Sequence, residues 1–285
     1  MKKIAIFFYK FLTFLNYIFH KITNRNFLVY INEAYENDAY KSIIVQKKKI
    51  NFFVPNYLTN YRVDTFFSKE PETLEWINNF ANIKKIIFWD IGSNIGLYSI
   101  YAAIKHDNIS VISFEPSTSN LRVLSRNLSI NNLNKKVKIS QFPLTTKNKG
   151  YQLMMESSFK EGGALHSYGK NINYEGKKIN IKNNYMLYGF SIDYIINHLD
   201  FEIPDYIKID VDGLEHNILE GGKNMLTKKK IKGLLIEVNE NYTEQFNKVK
   251  NIMKRNGFKL KAKEQSKLIT FNKEFKNSFN YIFYR

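Results

Sequence analysis

The chain has 285 residues, with 43 Lys+Arg against 26 Asp+Glu, a formal net charge of +17. At 44% hydrophobic, with only 5 Pro and 13 Gly, it has enough apolar side chains for a sizeable core, which excludes global disorder. It has no cysteine, which excludes disulfide scaffolds, zinc fingers, thiol nucleophiles and iron–sulfur sites.

The first segment is apolar but interrupted. Lys2 and Lys3 precede an apolar run that Lys10 breaks, and no small-x-small cleavage site follows. That argues against a signal peptide, and no run reaches the ~18 apolar residues of a membrane span. Lys3, Lys10, Thr13, Asn16 and His20 make a narrow polar stripe, and Phe7, Phe8, Phe11, Leu15 and Phe19 fall on a broad apolar face. Such a helix docks on the protein body, joins two copies, or lies in a membrane interface with Lys2, Lys3 and Lys21 toward anionic lipid. A second helix is expected over Phe27–Tyr40, then a hairpin of Ser42–Gln46 with Ile50–Val54, and a helix from Pro71 to Phe80. Residues 1–82 read as an N-terminal extension.

From Lys84 the grammar changes to β-α-β-α-β. Strands are expected at Ile86–Ile91, Ser110–Phe114 and Val137–Phe142, with helices over Asn94–His106 and Ser117–Asn131 between them. This alternation is the pattern of a parallel sheet with right-handed crossovers. Residues 145–190 break it: Tyr151–Met155 and Lys177–Lys182 read as strands around a Gly-rich loop, Glu161–Gly169. A helix capped by Ser191, a strand at Tyr206–Asp210, a helix over Leu214–Leu226, a strand at Gly233–Val238 and a helix over Tyr242–Asn256 follow. Strands at Phe258–Lys261, Leu268–Phe271 and Tyr281–Tyr284 close the chain, antiparallel at the sheet edge.

The segment Asp90-Ile91-Gly92-Ser93-Asn94-Ile95-Gly96 fits D-x-G-x-N-x-G, directly after a strand and before a helix. Glycine at 92 and 96 allows a tight turn and close approach of a ligand. Free N–H groups at the helix start would meet polar or anionic ligand atoms. Glu115 ends the next strand, where an acid hydrogen-bonds ribose hydroxyls in doubly wound folds. A dinucleotide fingerprint needs glycine at 94 and 97, where Asn94 and Leu97 stand. S-adenosylmethionine, which has no phosphate, fits better, with Asp90 serving it directly or through water. The cofactor set read from these residues is Asp90, Gly92, Asn94, Gly96 and Glu115.

Five blocks occur in order: the 90–99 segment, Phe114-Glu115-Pro116 with Asn120, Ser191–Ile195, Lys208–Glu215 with Leu219–Gly222, and Leu235–Asn239. Together they resemble the FkbM family of S-adenosylmethionine-dependent methyltransferases over residues 84–285. Asp212 stands where the family commonly has Glu, and Ser93 where it has Ala. The resemblance implies a Rossmann-like α/β fold with a seven-stranded, mostly parallel sheet of order 3-2-1-4-5-7-6, its last strand antiparallel. It also implies O-methylation of sugars or small metabolites, often in surface-polysaccharide synthesis, and it adds Ser93, Pro116 and Asn120 to the cofactor set.

Asp210 ends the fourth core strand, at the carboxyl edge where ligands bind, and is a candidate base; Lys208 shares its face and pairs with it in the simplest view. His216 is the second candidate base, since neutral imidazole suits proton removal near pH 7. His166, in the Gly-rich loop, is placed over the acceptor, and Glu237 and Asn239 end the fifth strand beside it. Asp212 reads as a helix N-cap. Asp210, Asp212 and Glu237 have the chemistry of an Mg²⁺ site, but the spacing is unspecific and no metal is assigned. The expected partner is a glycan or sugar-containing acceptor, not nucleic acid, and the expected location is the cytoplasm at the inner face of the membrane. The rival reading is a catalytically silent membrane-surface or nucleic-acid binding protein on the same fold.

Overall fold

The computed structural model describes residues 1–270 and 275–285. The chain divides into two compact units, Met1–Lys41 and Ser42–Arg285. The extension expected over 1–82 thus divides at residue 41, and residues 42–82 are built into the second unit.

The first unit is two helices, α1 (Lys2–Thr23) and α2 (Leu28–Asp38). The Asn16 carboxamide oxygen accepts the N–H of Phe27 at 2.9 Å, which ties the turn between them. No α1 residue is buried. Phe7 is 68% and Phe14 59% exposed.

The second unit opens with a hairpin, β1 (Tyr40–Val45) and β2 (Lys48–Phe53). Three short helices follow: α3 (Tyr57–Asp64), α4 (Phe66–Lys69) and α5 (Pro71–Asn78). Neither α3 nor α4 was expected from the sequence. Asn56 caps α3 by accepting the N–H groups of Leu58 and Thr59, a local side-chain signal that outweighs weak helix periodicity.

Then come β3 (Ile86–Ile91), α6 (Leu97–Lys105), β4 (Ile109–Phe114), α7 (Thr118–Ile130) and β5 (Val137–Ser140). Every residue of β3 is buried, as expected of a central parallel strand covered on both faces. After these lie β6 (Lys149–Glu156), β7 (Ser167–Tyr168) and β8 (Asn183–Phe190), which form a separate antiparallel sheet of order β7-β6-β8. The strand expected at Lys177–Lys182 is therefore displaced to 183–190. The chain continues through α8 (Ile192–His198), β9 (Tyr206–Ile209), α9 (Glu215–Gly221), β10 (Gly233–Asn239), α10 (Thr243–Arg255), β11 (Lys259–Glu264), α11 (Lys267–Thr270) and β12 (Ser278–Tyr284). Where a strand was expected at Leu268–Phe271, α11 stands; Phe271 lies outside the described residues.

The main sheet runs β11-β12-β10-β9-β3-β4-β5. It is parallel from β5 to β10; β12 runs antiparallel to β10 and β11. This is the expected seven-stranded architecture, with β3, β4, β5, β9, β10, β11 and β12 as strands one to seven. Trp89, Phe114, Ile207 and Leu234 lie in its core. Segment 42–82 is fastened to this body by amide pairs: Asn131 Oδ1 accepts from Asn51 N, and Asn127 Oδ1 from Phe53 N. The Phe80 ring stacks on Tyr206 at 3.9 Å.

Candidate active site

The turn after β3 is the centre of the site. Gly92 has φ +85° and Gly96 φ +88°, the left-handed region that favours glycine. At 92 the constraint is internal: a Cβ there would lie 1.8 Å from the Asp210 carbonyl oxygen. The turn also consumes its own donors. Gly92 N and Ser93 N donate to Phe114 O, and Gly96 N to Ser93 O. Asn94 N donates to Glu115 Oε2 and Ile95 N to Asn94 Oδ1. All five N–H groups of residues 92–96 are thus engaged within the protein, and α6, whose start was expected to offer free N–H groups, begins after them at Leu97.

A cleft of about 660 Å³ opens beside the turn, at the carboxyl ends of β3, β4 and β9. Gly92, Asn94, Glu115, Pro116 and Asn120 line it, as expected, and so do His166, Asp210 and Asp212. Phe142, Leu144 and Met154 supply apolar wall. Asn94 and Asn120 act chiefly as clamps on the Gly-rich loop: both donate side-chain N–H to Gly163 O, and Asn120 Oδ1 accepts Gly162 N. The Gly-rich loop is thereby fastened over the cleft.

Glu115 is 5% exposed. Burial pushes its carboxyl up to about 7, against the pull of hydrogen bonds from Ser117 and Asn94 N–H groups. Each of its oxygens accepts one such bond and the Asn120 side chain adds a further pull, which still leaves acceptor capacity for a ligand.

Below the turn lies a buried charge network. Lys208 is 1% exposed, and its Nζ donates to Asp210 Oδ2 at 2.7 Å. Burial works against its charge, but Asp210, Glu70 and Asp90 together raise it above the usual ammonium range. Burial alone would raise Asp210; Lys208 and Lys69, with hydrogen bonds from Lys208 and Glu237, hold it down at about 2. Glu237 is pushed well above the usual carboxylate range by burial and by Asp210 and Asp212. Carboxylate oxygens of Asp210, Asp212 and Glu237 gather within 4.8 Å.

Asp212 is not the helix cap expected. It has φ +60° and its Oδ2 accepts Leu165 N at 2.6 Å. Glu215 serves the helix start instead, accepting Val211 N and Gly213 N. Burial, then Asp210, raise the Asp212 carboxyl to about 6. Asp212 is thus a titratable group of the cleft and not a cap. Its signal was there, since Asp212 follows the strand end by two residues and precedes a glycine.

Five expected site residues line neither this cleft nor its neighbour, Gly96 among them, which closes the turn onto α6. His216 is fully buried, its ring nitrogens without a hydrogen bond and its Nε2 4.0 Å from Glu244 Oε1, edge-on to Tyr242, and it lines neither of the two clefts at the turn. Burial and nearby Lys248 and Lys170 lower it to about 4, so it is withdrawn as a base. Asn239 accepts from Asn241 N and shapes the turn after β10. Asp90 is wholly buried, accepts from Ser99 Oγ at 2.6 Å and lines neither of these clefts; its charge interacts with those of Lys208 and Asp210. Glu237 lies against Asp210 and Asp212 and lines neither cleft. Ser93 and Lys208 face a second, smaller cleft on the other side of the turn.

The methyltransferase FkbM domain matches residues 90–260, more than half of the chain. Among solved structures, methyltransferase FkbM from Methylobacillus flagellatus is similar at 14% identity and TM-score 0.48, over 80% of this chain and 52% of that one. The chain thus spans about half the length of that relative. TrmK of M. capricolum, in complex with S-adenosyl-homocysteine, is similar at 12% identity and TM-score 0.42, over 74% of this chain and 66% of that one. No curated protein matches. The ordered turn, strand-end acids and seven-stranded sheet accord with the domain match, and the chain belongs to the FkbM methyltransferase family.

Proposed function

We propose that the chain is an S-adenosylmethionine-dependent O-methyltransferase acting on a sugar hydroxyl, in surface-polysaccharide or related glycan synthesis. The observation that carries this reading is the meeting of Glu115 and Asp212 in one cleft, flanking the turn of a methyltransferase domain. The cleft fits the cofactor in its donor set. Glu115 keeps acceptor capacity for ribose hydroxyls, and Phe142, Leu144 and Met154 offer apolar wall to an adenine.

S-adenosylmethionine, when bound, supplies a methyl group on a sulfonium, open to in-line displacement. The protein's tasks are to hold an acceptor oxygen in line, which is proximity catalysis, and to take its proton. Asp212, at about 6, is matched to that second task near neutral pH and contributes about 10²–10⁴-fold. Asp210, at about 2, is too weak a base and serves to balance Lys208. The test is transfer of labelled methyl from S-adenosylmethionine to a panel of sugars and glycans. Alkali-stable label on a hydroxyl supports the reading; label on an amine or carboxylate overturns it.

We further infer that α1 rests on an anionic membrane surface, which would suit a lipid-linked acceptor. The support is its exposed Phe7, Phe8 and Phe14 with Lys2, Lys3, Lys10 and Lys21. Among the described residues no helix is long and apolar enough to cross a membrane.

A further inference from the structure

The second cleft, about 440 Å³, shares Gly92, Asn94 and Asp210 with the first and so continues it past the turn. Its outer wall comes from outside the matched domain: Arg62 on α3, with Phe66 and Lys69 on α4. The charges there are nearly all matched. Lys69 pairs with Glu70 at 3.0 Å and Lys208 with Asp210 at 2.7 Å. Arg62 is the exception. Its Nε donates to the backbone oxygen of Gly162 at 2.6 Å, and among the described residues no carboxylate pairs with it. Its terminal nitrogens are therefore available at the cleft wall, in the planar fork that suits a carboxylate. Its field reaches the first cleft too, pulling the carboxyls of Glu115 and Asp212 downward against the upward push of burial.

The ligand's chemistry supplies the complement. S-adenosylmethionine has an adenosine end and an amino-acid end with a carboxylate. Glu115 and the apolar wall suit the first end. The turn cannot receive the second through the N–H groups of residues 92–96, because all five are engaged within the protein. We propose that the second cleft receives the amino-acid end of the cofactor and that Arg62 binds its carboxylate. This rests on the S-adenosylmethionine reading of the first cleft. It makes segment 57–69 a working wall of the cofactor site.

The test is calorimetric titration of the full chain with two ligands. S-adenosylhomocysteine carries the carboxylate; 5′-methylthioadenosine keeps the adenosine and the sulfur but lacks the amino-acid end. Arg62→Gln should weaken S-adenosylhomocysteine by about 10- to 100-fold, the ordinary worth of a charge-assisted hydrogen bond. It should leave 5′-methylthioadenosine unchanged, and Arg62→Lys should fall between, keeping charge without the fork. Equal affinity of wild type and Arg62→Gln for S-adenosylhomocysteine overturns the proposal while the cofactor reading stands. Equal loss for both ligands overturns it as well, since Arg62 would then act through the Gly162 loop. Binding of neither ligand to wild type overturns the cofactor reading itself.

Discussion

The carbonyl oxygen of Asp210 stands 1.8 Å from where a Cβ on residue 92 would lie. Two strand ends, β3 and β9, are thereby locked together at the floor of the cleft, and the glycine serves the fold before it serves a ligand. Gly92→Ala must both move that backbone and hold a left-handed φ. We expect a loss of at least about 3 kcal/mol, as for other buried clashes and strained backbones, and a lower Tm even without ligand. A Gly92→Ala protein as stable as wild type but unable to bind cofactor would assign the glycine to the ligand instead.

Asp212 should show a trade between stability and activity. Its folded carboxyl is raised from 3.8 to about 6, so the folded state binds its proton more tightly than the unfolded chain. That stability is complete below pH about 4 and lost as pH rises to about 6. Asp212→Asn escapes the loss. Relative to wild type, it should gain about 2–3 kcal/mol between pH 4 and 7, while kcat drops about 10²-fold or more. Denaturation at both pH values measures the first effect and methyl-transfer rates the second. A stability difference that does not vary with pH would mean that Asp212 titrates normally.

Lys208 tests the buried network. Replacing it with Met leaves Asp210 unpaired beneath the turn, and Glu70 and Asp90 lose the same cation. Breaking one side of a buried ion pair costs about 3–5 kcal/mol. Urea denaturation of Lys208→Met at pH 7 should show that loss. A change within about 0.5 kcal/mol would mean that solvent, not Lys208, neutralises the site.

The fold was legible because β3, β4, β9 and β10 are short apolar runs ending in acids, with amphipathic helices between them. The pairing of Lys208 with Asp210 was legible from strand alternation alone. What was not legible depends on contacts far apart in sequence. Arg62 reaches Gly162 across 100 residues, and Asn120 holds Gly162 across 42, so neither the closed loop nor its outer wall leaves a local signature. His216 was misplaced because a residue in the first turn of a helix can face cleft or neighbour equally well, and here α10 packs against α9. The strand at 183–190 was displaced because Ile179 and Ile181 alternate with polar residues in Lys177–Lys182, whereas Tyr185-Met186-Leu187-Tyr188 runs without alternation.

The α1 helix gives a prediction independent of the cleft. The full chain should sediment with anionic vesicles, with each lysine near the surface contributing on the order of 1 kcal/mol. High salt should weaken this by screening. A chain starting at Asn24 should stay in the supernatant and still bind S-adenosylhomocysteine. If the full chain ignores the vesicles at low salt, the apolar face belongs to a protein interface.

The most direct measurement is calorimetric titration of wild-type protein and Glu115→Ala with S-adenosylhomocysteine. We expect saturable one-site binding to wild type and a loss of about 10- to 100-fold in the variant, the worth of a charge-assisted hydrogen bond. Because Glu115 is raised to about 7 and its ionised form is the stronger acceptor, wild-type affinity should fall as pH drops from 8 to 6. Folded wild-type protein that gives no heat with S-adenosylhomocysteine, or a Glu115→Ala protein that binds it equally well, contradicts the assignment of this cleft to the cofactor.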